Sequence, residues 1–294
     1  MLNLCCVSDH KFLCRGLTLY ESLSKLDENF NIHYLCIDSD SYKKLNTIND
    51  PRIIAYDINV FLETDEALQK LRDSDYRYFC WSLASYFTNF LVNELQEDVT
   101  YIDADIFFHQ SVRDMLFKMA QKDIGIFRHR QYPINIPNPN GRFNVGVVHF
   151  KNTDLAKAYL FWWKDAVLHK KYPELATCGD QRYLDAFLEI NQENIFIDGD
   201  IGHGSPWEWQ LYDFQNYQKD GTIIWNGKVE KLFYSHFSQF EYSLSENSYT
   251  PSTTHYCFTP MELYAQDENL KFIYDDYFDQ IKLTHKKYNL EAIK

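Results

Sequence analysis

Short apolar runs alternate with helical patterns along the N-terminal part of the chain, and this alternation constrains the fold more than any other feature. Residues 2–7, 32–37 and 53–56 are continuous apolar runs, which are typical of strands buried on both faces. Between the first two runs, apolar side chains in residues 12–26 recur every third or fourth position, which predicts a helix. Because strands that alternate with helices build parallel sheets, the sequence predicts an α/β fold with a mostly parallel sheet.

The same alternation continues to about residue 237, and no repeat, low-complexity segment or linker interrupts it. Residues 129–142 hold three prolines, three asparagines and one glycine, which predicts a long irregular loop. We expect one domain over residues 1–240 and a C-terminal extension over residues 241–294. The remaining predicted helices are 79–95, 112–120, one capped by Asn152 or Thr153 that ends at 169, and 180–190; the remaining predicted strands are 99–102, 124–127, 143–150, 223–225 and 231–234.

The composition excludes several classes of protein. Lys and Arg total 29 against 42 Asp and Glu, a net charge of −13, so we expect no nucleic-acid partner that needs a basic face. The seven cysteines form no C-x-x-C pair, which favours free thiols in a reducing compartment. No run of about 18 uncharged apolar residues is present, so we expect a cytoplasmic protein without a spanning helix.

Two carboxylates follow the apolar run at residues 99–102, in the segment Asp103-Ala104-Asp105. Ligands of open α/β sheets bind outside the carboxyl ends of the strands, where these side chains can turn towards one point. Such a pair offers hard oxygen ligands to Mg²⁺ or Mn²⁺. Acidic residues at loop starts are also commonly solvated or capping, but two unpaired carboxylates beside buried apolar residues would be costly without a cation.

Other candidate site residues stand at the ends of predicted strands and helices. His236 could complete a divalent-metal site, although a histidine among aromatics is more often a core residue. Asn144, Asp180 and Gln181 carry the donors and acceptors that sugar hydroxyls require, while turn formation and helix capping are the simpler alternatives. Trp207 and Trp209 beside a Gly/Pro turn could form a stacking platform for a sugar or fill the core.

Taken together, these residues resemble a family. The chain is similar to nucleotide-diphospho-sugar transferases of the GT-A fold, in particular to glycosyltransferase family 8 and its relatives from bacterial surface-polysaccharide gene clusters. The resemblance extends from residue 2 to about residue 237, and its motifs occur in the family's order. The matching segments are Val7-Ser8-Asp9, Tyr101 to Asp105, Phe143-Asn144-Val145-Gly146-Val147, Gly179-Asp180-Gln181 and Ser235-His236-Phe237.

The resemblance implies a single α/β domain with a Rossmann-like, mixed but mostly parallel sheet and a C-terminal helical extension. It implies a hexosyltransferase-class enzyme that uses a nucleotide-diphosphate sugar as donor and a glycan or lipid-linked acceptor, with retention of anomeric configuration, in surface polysaccharide or lipopolysaccharide synthesis. By resemblance, Asp103, Asp105 and His236 would bind Mn²⁺ (or Mg²⁺). The donor's nucleoside would contact Val7, Ser8 and Asp9, and its sugar would contact Asn144, Asp180 and Gln181.

The sequence departs from the family at two basic positions. Family members usually carry an Arg in the helix before the D-x-D motif, where residues 85–89 have none. They also often carry a glycine and a lysine soon after the metal histidine, where residues 238–242 have neither. Arg182, Lys228 and Lys231 are therefore candidate substitutes for holding the diphosphate.

Alternatives from other classes stay open. A degenerate transferase fold could bind a nucleotide sugar or glycan without turnover, and a metal-dependent phosphotransferase could use the same D-x-D, although no G-x-x-x-x-G-K loop is present. The amphipathic stretch from about residue 260 to 287 could pack on its own domain, pair with a second copy in a homodimer, or contact the inner face of the bacterial cytoplasmic membrane.

Overall fold

The computed structural model describes residues 1–27, 29–119, 121–130, 141–190, 192–197, 201–214, 217, 219–251 and 268–290. The strands are β1 (Leu2–Ser8), β2 (Phe30–Cys36), β3 (Ile53–Asp57), β4 (Val99–Ile102), β5 (Ile106–Phe108), β6 (Ile124–Arg128), β7 (Phe143–Phe150), β8 (Ile195–Ile197), β9 (His203–Gly204), β10 (Tyr212–Asp213), β11 (Thr222–Trp225), β12 (Lys228–Lys231), β13 (Tyr234–His236), β14 (Glu241–Ser243) and β15 (Ser248–Thr250). The α-helices are α1 (Leu13–Ser24), α2 (Ser39–Asn46), α3 (Ile58–Thr64), α4 (Glu66–Ser74), α5 (Tyr76–Leu95), α6 (Val112–Met119), α7 (Asp154–Leu168), α8 (Leu184–Ile190) and α9 (Glu268–Tyr288), and the short 3₁₀ helices are Ala176–Cys178, Gln181–Tyr183 and Trp209–Leu211.

The central sheet has seven strands in the order β3-β2-β1-β4-β7-β6-β8. Strands β3, β2, β1 and β4 pair in parallel, and β8 pairs in parallel with β6. Strand β7 runs antiparallel to both of its neighbours, β4 and β6. The α/β fold with a mixed, mostly parallel sheet is therefore confirmed.

Short polar side chains fix where several helices begin. Asp38 accepts hydrogen bonds from the backbone amides of Asp40 and Ser41 at the start of α2. Asp75 caps α5 by accepting from the amide of Tyr78, at 3.1 Å. Of the two capping residues predicted for α7, Thr153 is the one that caps it, through its hydroxyl and the amide of Ala156.

Two predicted elements differ from the structure because specific backbone groups bind elsewhere. The predicted helix 180–190 begins with the 3₁₀ helix Gln181–Tyr183. There the carbonyl of Asp180 accepts from the amide of Tyr183 at 3.3 Å and also from the indole N–H of Trp163 at 3.0 Å. The predicted strand 231–234 is divided between β12 and β13. At this break the amide of Leu232 donates to Gly221 and the amide of Phe233 donates to Gly202, so the chain leaves one sheet and enters another.

Helix α9 packs on the domain and extends its core. Its buried residues Ile273, Tyr274, Tyr277 and Ile281 belong to one apolar cluster with Phe237 and other residues of the loop after β13. Tyr277 stacks flat on Phe237 at 3.8 Å. Helix α9 thus packs against the rest of the chain, while the part of the predicted stretch before residue 268 lies outside the described residues. Within the described ranges, no helix is long and apolar enough to cross a membrane.

Candidate active site

The carboxyl ends of β1 and β4 meet the beginning of β7 at one edge of the central sheet. Strand β4 pairs with β1 through Tyr101 and Cys5, and with β7 through Ile102 and Val147. Directly after β4, the amide of Asp103 donates to the carbonyl of Gly146 at 2.9 Å. The sheet topology therefore brings the D-x-D motif and the Asn144–Gly146 segment together, although they are distant in sequence.

A small second sheet, in the order β5-β13-β9, places His236 beside the two carboxylates. Residue His236 pairs with Ile106, and the amide of Phe237 donates to the carbonyl of Asp105. The imidazole Nε2 lies 3.1 Å from Oδ1 of Asp105 and 3.7 Å from Oδ2 of Asp103. We call Asp103, Asp105 and His236 the triad.

The triad fits a divalent cation. Each of the three residues offers one ligand atom, either a carboxylate oxygen or an imidazole nitrogen. These three atoms lie within 4.8 Å of one another. Oxygen and imidazole donors suit Mg²⁺ and Mn²⁺. The phenol of Tyr101 donates to Asp103 Oδ1 at 2.7 Å and holds this carboxylate in place, as partners of metal ligands commonly do.

The pKa values in the triad are set by burial and by mutual charge. Burial raises the pKa of Asp103, with Asp105 adding to the effect and His236 opposing it. Burial also acts to raise the pKa of Asp105, but the charge and hydrogen bond of His236 outweigh it, and this pKa is lowered. Burial acts to lower the pKa of His236, but the two carboxylates outweigh it and raise this pKa. A bound divalent cation would take over the stabilising role of the imidazole proton.

Gly146 lies directly against the triad. A Cβ at this position would stand 2.8 Å from Nδ1 of His236 and 2.5 Å from Oδ1 of Asn144. On another side, the indole of Trp207 packs edge-on against the His236 ring, with ring centroids 5.4 Å apart. Only a residue without a side chain can therefore occupy position 146 while the imidazole keeps its place.

A chain of hydrogen bonds orients the predicted sugar-binding residues. His129 Nδ1 lies 3.2 Å from the carbonyl of Gly141, so it is the protonated nitrogen and Nε2 is the acceptor. The amide Nδ2 of Asn144 lies 3.3 Å from that Nε2 and 3.5 Å from Oε1 of Gln181, and Oδ1 of Asn144 accepts from the amide of Gly146. The carboxamide orientations of both residues are therefore fixed by contacts.

Asp180 is buried beside this chain of hydrogen bonds. Burial raises its pKa well above the usual value, and the negative charge of Asp103 adds to the increase. Its side chain makes no capping bond to the following 3₁₀ helix, so the capping alternative is wrong for this residue. The raised pKa favours the neutral acid, which can donate a hydrogen bond as well as accept one.

All of these groups face one cavity of about 1010 Å³. The predicted metal ligands and the predicted donor-binding residues line it: Val7, Ser8, Asp9, Asp103, Asp105, Asn144, Asp180, Gln181 and His236. The cavity also has lining residues that the sequence analysis did not select, and these include Arg77, Trp81, Tyr101 and His129. His129 lies in the loop after β6, where no local sequence pattern distinguishes it. The other three lie on helix α5 or strand β4, and which of their side chains face the cavity depends on how these elements pack.

The two tryptophans of the 207–209 segment have different surroundings. Trp207 lines the cavity and packs between His236 and His129. Trp209 is buried in the apolar cluster with α9, where its indole N–H donates to the hydroxyl of Tyr274. The prediction that both tryptophans form a stacking platform for a sugar is therefore wrong for Trp209, which fills the core.

The candidate substitutes for the missing basic positions are not among the described residues that line the cavity. Lys228 and Lys231 stand on the exposed strand β12. The guanidinium of Arg182 donates to the hydroxyl of Thr177, and Arg182 is not among the described residues that line the cavity.

Comparisons with known proteins identify relatives of this chain and of its fold. No family model matches it. It is 30% identical over 252 residues to the uncharacterized protein YfnF of Bacillus subtilis strain 168, which covers 80% of each chain. Mouse xyloside xylosyltransferase 1, in its apo form, is similar with a TM-score of 0.54 and 15% identity, over 81% of this chain and 98% of the other. The galactosyltransferase LgtC, in complex with donor and acceptor sugar analogs, is similar with a TM-score of 0.56 and 12% identity, over 81% and 87%. The chain belongs to the same family as YfnF, and its fold is that of the GT-A glycosyltransferases.

Proposed function

We propose that this protein is a metal-dependent glycosyltransferase that moves a sugar from a nucleotide-diphosphate sugar to a glycan acceptor. The observation that carries the proposal is the convergence of Asp103, Asp105 and His236 in a large cavity at the carboxyl edge of the sheet. Ligands of open α/β sheets bind at this edge. The bacterial relative and the resemblance to surface-polysaccharide transferases favour a glycan or lipid-linked acceptor of the cell surface.

The triad would hold Mn²⁺ or Mg²⁺. When bound, such a cation stabilises the charge that develops on a leaving diphosphate. The protein's own part is to fix the ligands: Tyr101 orients Asp103, and Gly146 with Trp207 confines the His236 ring. These contacts reduce the reorganisation that metal binding would otherwise require.

The donor would extend along the cavity from β1 towards β7. In this proposal Val7, Ser8 and Asp9 contact the nucleoside at the end of β1. The transferred sugar lies against Asn144, Asp180 and Gln181, and hydrogen bonds orient the carboxamides of Asn144 and Gln181. We include retention of anomeric configuration in the proposal on the strength of the family resemblance.

The acceptor would enter at the end of the cavity that holds Trp207 and His129. An indole face and edge suit the apolar face of a pyranose ring. Trp207 is half-buried and in contact with His236, so a sugar packed on it would lie close to the triad. We propose that residues 1–240 form the transferase domain and that residues 241–294, including α9, support it.

The test is hydrolysis of a panel of nucleotide sugars with and without Mn²⁺, together with thermal shifts in the same conditions. Asp103→Ala and Asp105→Ala should abolish hydrolysis and the Mn²⁺-dependent thermal shift, and His236→Ala should weaken both. Asp73→Ala, which removes a carboxylate that is 61% exposed outside the cavity, is the matched control and should behave as wild type.

Two results would change the assignment. Turnover at the wild-type rate in either aspartate variant would contradict the metal site. Nucleotide-sugar binding without released nucleotide, for every sugar in the panel, would favour the second candidate, a catalytically degenerate binding protein.

A further inference from the structure

The cavity is strongly acidic. Five carboxylates line it, on Asp9, Asp103, Asp105, Asp180 and Glu241. Among the described lining residues, Arg77 is the one lysine or arginine. Carboxylates offer an anionic diphosphate no attraction, so the divalent cation and Arg77 would be its main sources of attraction in this cavity.

Helix α5 presents Arg77 at the mouth of the cavity. Four residues of this helix line the cavity, Arg77, Cys80, Trp81 and Ala84, and their spacing places them on one face. The helix ends just before β4 begins, so its last turn is at the amino edge of the sheet and its first turn is at the carboxyl edge. Arg77, in the first turn, is thus at the same edge as the triad.

The Arg77 side chain is oriented by an aromatic ring. Its guanidinium carbon lies 4.8 Å from the centroid of the Trp81 ring. The same ring contacts Gly179, where a Cβ would stand 2.7 Å from Trp81 Cδ2 and where φ is +65°. Gly179 directly precedes Asp180, so Trp81 connects Arg77 to the segment that lines the sugar end of the cavity.

We propose that Arg77 binds the diphosphate of the nucleotide sugar. This inference rests on the proposed function and names a residue for it. A guanidinium presents two parallel N–H groups to phosphate oxygens, and stacking on an indole fixes the plane in which they lie. Arg77 is exposed at the rim, so it keeps its charge at little desolvation cost before the donor arrives.

The experiment is isothermal titration calorimetry with a series of ligands that lose one phosphate at a time. With Mn²⁺ present, wild type and Arg77→Gln are titrated with UDP, UMP and uridine, or with the corresponding guanosine series if GDP binds more tightly. Arg77→Gln should weaken binding of the diphosphate roughly tenfold, weaken the monophosphate less, and leave the nucleoside unchanged. Arg77→Lys should recover part of the loss, because it restores charge without the planar fork.

Arg72→Gln is the matched control. Arg72 lies on the neighbouring helix α4, binds Asp73 at 3.0 Å and does not line the cavity, so its variant should bind all three ligands as wild type does. Equal diphosphate affinity in wild type and Arg77→Gln would overturn the inference while leaving the proposed function standing. An equal loss for diphosphate and nucleoside would also overturn it, since Arg77 would then shape the nucleoside end. If the wild type binds no nucleoside diphosphate, the proposed function itself fails.

Discussion

Replacing Gly146 by alanine should separate metal binding from folding. The backbone at this position does not have a positive φ, so alanine brings no backbone strain of that kind. The added methyl group instead meets two side chains of the site, at 2.5 Å from Oδ1 of Asn144 and 2.8 Å from Nδ1 of His236. The perturbation is therefore local, and it acts on His236, a proposed metal ligand, and on Asn144, a proposed sugar-binding residue, together.

The size of the displacement follows from these contacts. An ordinary contact begins at about 3.4 Å, so the imidazole of His236 must move by about 0.6 Å, the difference between 3.4 and 2.8 Å. Metal–ligand distances vary by only about 0.2 Å. A displacement of this size should lower Mn²⁺ affinity roughly 10- to 100-fold, the range seen when a residue that orients a metal ligand is lost. Overpacking should cost about 1–3 kcal/mol of the free energy of unfolding.

The assay is titration of Mn²⁺ by calorimetry, with urea denaturation of the metal-free protein alongside. Gly202→Ala is the matched control, because a Cβ there would come no closer than 3.6 Å to any neighbour, the Leu232 side chain being the nearest. The control should bind Mn²⁺ with wild-type affinity and unfold at a similar urea concentration. Wild-type Mn²⁺ affinity in Gly146→Ala would refute the reasoning, because it would mean that the imidazole does not need its present position to bind the ion.

Three further outcomes test the packing of the chain and the protonation of its core. Tyr277→Phe should leave the free energy of unfolding unchanged or raise it by up to about 1 kcal/mol in urea denaturation, because no partner among the described residues bonds the buried hydroxyl; a clear loss would contradict this. Trp209→Ala should lower the free energy of unfolding by roughly 3–5 kcal/mol in the same measurement, because this ring is in the buried cluster. Trp207→Ala should lower it by less than half of that and should raise the KM for the acceptor, because this ring lines the cavity. Equal losses of stability would contradict the different surroundings of the two rings. Burial lowers the pKa of His33 from 6.5 to about 4 and that of His109 to about 3. Between pH 6.5 and these values, the two side chains therefore bind protons in the unfolded chain but not in the folded one. Stability present above pH 6.5 should therefore fall as the pH drops towards 4, and the double variant His33→Gln/His109→Gln should flatten that slope; an unchanged slope would refute the linkage.

The D-x-D motif could be located from sequence because its surroundings are regular. The apolar run before Asp103 indicates a buried strand. The residues that directly follow such a strand lie at the carboxyl edge of the sheet. From the residues alone, His236 is a candidate metal ligand with a core histidine as the simpler alternative, since its strand, β13, has just three residues and lies outside the central sheet. The order of the family's motifs is what favours the metal ligand. Local patterning thus predicted the central sheet better than the second one.

Arg77 and Trp207 required the structure for a different reason. Helix α5 is apolar on most of its surface and carries ten buried residues, so periodicity does not indicate which face meets the cavity. Trp207 and Trp209 are two positions apart in one turn, and their separation into cavity and core depends on the 3₁₀ helix that begins at Trp209. Turn geometry of this kind follows from tertiary contacts and not from residue type.

The charges in the cavity explain how a chain that lacks two of the family's basic positions can still suit an anionic donor. Within the triad, His236 lowers the pKa of Asp105, while burial raises the pKa of Asp103. Burial also raises the pKa of Asp180, which lies outside the triad. A divalent cation would draw the triad carboxylates back to their charged forms and so bring its own counter-charge into the site. The remaining need is for one cation on the far side of the diphosphate, at the rim, where desolvation is small. Arg77, on the first turn of the helix that precedes the D-x-D motif, lines the cavity and is the proposed source of that charge.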